Sequence, residues 1–111
     1  MIEVNFASHV LDYDGRTIPS PVPGQPDQNQ PLTLAAVCVN SLMIEDPQKP
    51  LTGEEKLQRH HLALKVHGTK SPVTLSAEDV ILIKTATAKA YNALVYGRVV
   101  EAVTPLPLAG A

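Results

Sequence analysis

The side chains of this sequence that could carry chemistry near neutral pH are its histidines, its cysteine and its paired carboxylates, and their spacing decides whether they do. Imidazole is the usual acid–base group and metal ligand in that range, so His60, His61 and His67 come first. On a helix His60 and His61 diverge by about 100°, and only His60 and His67 share a face, roughly 10 Å apart. A zinc site on one helix needs ligands at i, i+3 or i, i+4, as in His-Glu-x-x-His, and this trio offers no such pair. The three are read as surface histidines, with His61 leaning on the core.

Cys38 is the only cysteine, so it cannot form an internal disulfide. Its neighbours Val37 and Val39 give it apolar surroundings that raise a thiol pKa, which describes an inert core thiol better than a nucleophile. The acid pairs Glu54/Glu55 and Glu78/Asp79 could act as the two carboxylates of a glycosidase. Each pair, however, falls in the first turn of a predicted helix, where the cap and the helix dipole already account for negative charge. Gly15, Gly24, Gly53, Gly68, Gly97 and Gly110 stand apart and build no phosphate loop. The expectation is a protein that is not an enzyme, with no cofactor and no metal.

The chain of 111 residues fits a single domain with one core. With 44% hydrophobic residues but only 4% aromatic and no Trp, that core must be built from Leu, Val, Ile and Ala. The formal charge of -2 has no basic excess with which to grip a phosphate backbone, which makes nucleic acid an unlikely partner. No stretch reaches the roughly 18 apolar residues of a membrane span, and the start Met-Ile-Glu-Val lacks a basic leader region. A cytoplasmic location with no membrane contact is the expectation.

The elements that must position these residues are read as follows. Alternation at Ile2, Val4 and Phe6, followed by the turn Asp12-Tyr13-Asp14-Gly15, predicts a β-hairpin over residues 1–18. Pro19, Pro21, Pro23, Pro26 and Pro31 predict an irregular, solvated loop over 19–31. A helical core occupies 32–104. Thr33 caps a helix to about residue 44, with strand as the alternative because of Val37 and Val39. Thr52 with Glu55 forms a capping box for a helix over 53–67 that stops at Gly68 and turns Leu57, His61 and Leu64 inward, with Leu62 and Val66 beside them. A short strand at 73–75 precedes the Ser76/Asp79 box, whose helix presents Val80, Ile83, Thr87, Ala90, Tyr91 and Leu94 as its core face. Asn92 and Gly97 are candidate breaks, a last helix spans 93–103, and 105–111 is a flexible tail. The fold class is therefore α+β: a hairpin, a proline-rich loop and a bundle of three to four helices.

Ile81, Leu82, Val95, Val99 and Val100 exceed what two short helices can turn toward one small core, and they form a possible partner surface. In the order Asp12-Tyr13-Asp14-Gly15, Leu32-Thr33-Leu34, Gly53-Glu54-Glu55-Lys56-Leu57, Leu62-Ala63-Leu64-Lys65 and Leu75-Ser76-Ala77-Glu78-Asp79, most of the chain resembles small, mostly uncharacterised proteins of tailed bacteriophages and prophages. The resemblance implies a phage or prophage origin and a place in the host bacterial cell, and it transfers no catalytic residue. The function expected is non-enzymatic interaction or assembly through a helical surface, with a phage or host protein or a second copy as partner. The alternative is a small regulator that binds a host enzyme or nucleic acid.

Replacing His60 and His67 together by Ala is expected to leave the metal content of the purified protein unchanged by elemental analysis. Loss of a stoichiometric zinc ion would be the contrary result.

Overall fold

The computed structural model describes residues 2–22, 24–69 and 71–104. Their elements run β1 (Ile2–Val4), β2 (Pro19–Val22), β3 (Gln25–Pro31), α1 (Leu34–Met43), α2 (Gly53–Val66), β4 (Val73–Leu75), α3 (Ala77–Ala90) and α4 (Ala93–Val103). The strands form two antiparallel pairs, β1 with β4 and β2 with β3, so the fold is α+β with an N-terminal hairpin and four helices. The tail expected at 105–111 lies outside the described residues.

The hairpin sits later in the chain than the alternation of residues 2, 4 and 6 implies. β1 pairs across the molecule, Ile2 with Leu75, Glu3 with Thr74 and Val4 with Val73, which sets apolar side chains opposite one another and buries Val4 and Leu75. The turn at Asp12 does form: Asp12 N–H donates to the Arg16 carbonyl at 2.8 Å, and Gly15 takes φ +79°. Its ladder is a single bridge, Leu11 with Thr17. The hairpin strands are β2 and β3, within the segment expected to be an irregular loop.

Register explains how prolines are accommodated there. Pro19 opposes Pro31, and two residues without N–H groups can only be a pair that exchanges no hydrogen bonds. Alternation then makes Ser20 with Gln30 the bonded pair and Pro21 with Asn29 again unbonded. In the same phase, Leu32 N–H donates to the Ile18 carbonyl at 2.8 Å. Pro19, Pro21 and Pro31 thus fall where a missing N–H would have pointed away from the partner strand, and Gly24 supplies φ +78° in the connection.

All four helices begin at side-chain caps. Thr33 Oγ1 accepts the Ala36 N–H at 3.2 Å, which favours the helical reading of α1 over the strand. The Leu34 and Ala35 N–H groups donate to the carbonyls of Ser8 and Phe6, so the segment after β1 satisfies the rest of that first turn. Thr52 and Glu55 close one capping box and Ser76 and Asp79 another. Asn92 caps α4 by accepting the Val95 N–H at 3.1 Å, and Gly97 lies inside that helix instead of breaking it.

α1 packs against both α2 and α3, α3 against α4, and α4 against β1. α1 buries Leu34, Val37, Cys38, Ser41 and Leu42, and α3 buries Ile83, Ala86 and Thr87. Ser41 and Thr87 donate their hydroxyls to carbonyls of their own helices, each at 2.7 Å, so the core holds them without an unmet polar group. The inward face of α2 differs from the expected one. Leu62, Ala63 and Val66 are buried, whereas Leu57 and Leu64 are 51% and 61% exposed and His61 is also exposed. α2 turns Leu62, Ala63 and Val66 inward in packing on α1, and that choice of face turns Leu57, His61 and Leu64 outward.

Thr52→Ala and Ser76→Ala are each expected to lower stability by about 1 kcal/mol through the lost cap, read from urea denaturation midpoints at unchanged m-value.

Candidate functional site

Because α2 and α3 both rest on α1, a cleft opens between them, with a volume of about 600 Å³. Arg59, His61 and Lys65 of α2 face Asp79, Ile81 and Leu82 of α3 across it. Spacing on the two helices brings these residues there: 61 and 65 lie one turn apart on α2, and 78, 81, 82 and 85 follow the helical repeat on α3.

Asp79 organises this cleft. Its carboxylate accepts the Ser76 N–H at 3.0 Å to complete the cap, and it accepts Lys65 Nζ at 3.1 Å to tie α2 to α3. Partial burial pushes the Asp79 carboxyl up, but the Ser76 backbone bond, the Lys65 bond and charge, and the Ser76 hydroxyl together hold it below the ordinary aspartate value. Glu55 is likewise held low, chiefly by the backbone N–H of Thr52 and then by its hydroxyl. Both acids titrate as structural caps, in keeping with their position.

The residues singled out by sequence are dispersed. Cys38 is buried, and burial pushes its thiol up to about 12, which leaves it protonated near neutral pH. The rings of His60 and His61 stand 6.0 Å apart on exposed α2, and His67 is the C-cap of the same helix. The expectation that His61 leans on the core is corrected, because α2 buries the opposite side. Among the described residues, no three His, Cys, Asp or Glu side chains gather where they could share a metal ion.

The possible partner surface is also revised. Ile81 is 64% exposed and Leu82 is half-buried, both at the cleft. Val95 and Val99 are core residues, 6% and 0% exposed, and Val100 is half-buried. α4 turns its valines inward at i, i+4 and i+8, Val95, Val99 and Val103, because the segment around β1 covers it on one side and α3 on the other.

Arg98, which sequence reading overlooked, anchors the N-terminal turn. Its guanidinium donates to the carbonyls of Leu11 and Asp12, each at 3.0 Å, and lies 3.5 Å from Glu101. The second cleft, about 410 Å³ beside His9 and Leu34, therefore has its arginine already committed to backbone acceptors. Only the arginine's place on a helix was visible in the sequence. Its acceptors are carbonyls 86 and 87 residues away, which no local pattern encodes.

Chemically, the α2–α3 cleft offers one exposed apolar side chain, Ile81, with half-buried Leu82 beside it, bordered by acids and bases of both signs. No family model matches the chain, and no curated protein or solved structure matches it. No helix among the described residues is long and apolar enough to cross a membrane.

The depressed Asp79 pKa contributes stability that is present above the unfolded value of about 3.9 and lost as pH falls through the folded one. Asp79→Asn is therefore expected to lose most stability near pH 7, and its deficit to shrink as pH falls from about 4 through the lower folded value, as read by thermal melts across that range.

Proposed function

We propose that this chain is a non-enzymatic interaction or assembly protein of a phage or prophage, which engages a protein partner through its helical half. The observation that carries the reading is Ile81, a large β-branched side chain 64% exposed on α3 at the edge of a cleft whose rim is charged. Large apolar groups set in polar surroundings are where protein partners gain most of their contact energy. Leu82 lies beside it and extends the apolar floor toward the core.

The ion pairs support a protein partner over a phosphate backbone. Lys56, Lys65 and Arg98 lie 3.7, 3.1 and 3.5 Å from Glu45, Asp79 and Glu101, so these three cations are already partly neutralised. The phage or prophage origin is proposed only on the resemblance in motif order to small phage proteins.

Capture from phage-infected or induced lysogenic cells tests this directly. Ile81→Asp is expected to lose the partner retained by the unmodified chain while its melting temperature stays the same, since the side chain is mostly in water. Equal capture by both would overturn the assignment.

A further inference from the structure

α2 is apolar on two opposite sides. Taking about 100° per residue, the centre of the stripe Leu57, His61 and Leu64 lies roughly 180° from the centre of the buried arc Leu62, Ala63 and Val66. Leu57 and Leu64 stand two turns apart and are 51% and 61% exposed, with His60 and His61 exposed between them. Packing on α1 accounts for the inner arc; of the outer stripe His61 borders the α3 cleft, while Leu57 and Leu64 stay largely exposed among the described residues.

We propose that the outer stripe of α2 is a two-fold interface at which a second copy of the chain docks its own α2 antiparallel. It deepens the reading above by naming one partner, and it rests on that reading only in treating the helical half as a binding surface. The charges of the helix select the second copy and the direction. Glu54 and Glu55 occupy the first turn of α2, and Lys65 the last. Antiparallel pairing sets the acidic start of each helix beside the basic end of the other and opposes the two helix dipoles, whereas parallel pairing sets like ends together.

The flanks agree as well as the ends. Glu54 and Lys65 lie about 60° and 80° to the same side of Leu57. In an antiparallel pair related by a two-fold axis, each flank faces the same flank of the other copy, so Glu54 meets Lys65 of the second copy twice. The Lys65 side chain is 42% exposed beyond its bond to Asp79, and an ammonium keeps further donors for a second carboxylate. The register that pairs the leucines is centred between residues 60 and 61, and it leaves Glu54 and Lys65 of the two copies two residues, about 3 Å, from level. It lays Leu57 against Leu64 of the second copy, and Leu64 against its Leu57.

Light scattering and sedimentation of the full chain test the interface. The unmodified chain is expected to be a dimer. Leu57→Glu is expected to raise the dimer dissociation constant at least about 100-fold, because each dimer loses the contact twice, while its melting curve at low concentration shows it folded. A cysteine experiment reads the geometry independently. Mixed Leu57→Cys and Leu64→Cys chains are expected to cross-link under mild oxidation, and neither alone. Across the axis each position lies about 10 Å from its own copy along the helix, beyond the roughly 7 Å limit of a disulfide. Cys38 is 1% exposed and contributes no background. A unmodified chain that stays monomeric at its highest soluble concentration, or self-cross-linking of Leu57→Cys alone, would overturn the proposal. Neither result touches partner capture through Ile81, so the two readings fail separately.

Discussion

The fold depends on α1 being buried on more than one side. Five of the ten residues of Leu34–Met43 are in the core, and Ala35, Ala36 and Val39 pack against it from the margin. A helix so apolar must be surrounded, and its surroundings are the rest of the protein: α2 on one side, α3 on another, and the Phe6 and Ser8 carbonyls over its N-terminus. With one Phe and no Trp in the chain, shape complementarity among small aliphatic side chains must supply what aromatic bulk would otherwise fill. Ala63 and Ala86 are buried for that reason, each on a helix packed against α1.

A second constraint couples distant parts of the chain through a few polar groups with two tasks each. Asp79 closes the cap of α3 and holds Lys65 of α2, so the group that starts one helix also sets the width of the cleft at that end. Arg98 belongs to α4 yet fastens the turn at Leu11 and Asp12, which lies near the other end of the sequence. The β1–β4 pair does the same with backbone, joining residues 2–4 to 73–75 immediately before the Ser76 cap. Such long-range closure costs loop entropy, and local caps offset part of it by making each helix start well defined before it docks.

The polar and apolar surfaces of the helical half follow from this packing. α2 and α3 each pack on α1, and the side chains lining the cleft between them meet water. Ile81 and Leu82 mark one apolar exposure, at the cleft, and Leu57 and Leu64 another, on the far side of α2. Both apolar exposures are bordered by charged side chains of the same helices.

What the sequence determined by itself is local: the capped helix starts at Thr33, Thr52 and Ser76, the break at Asn92, the strand at 73–75, the turn at Asp12 to Gly15, and the inert setting of Cys38. Each depends on residues within a few positions of one another, where hydrogen-bond geometry leaves little choice. Tertiary structure decided which partner β1 takes, that Pro19, Pro21 and Pro31 fall in phase with a ladder, and which of two apolar stripes α2 turns inward. It also decided that Val95 and Val99 belong to the core while Ile81 faces the cleft. In each of these cases the sequence carries two physically acceptable patterns, and the selection comes from burial against elements far away in the chain. A period of 3.6 or 2 identifies a face but cannot say what that face will meet.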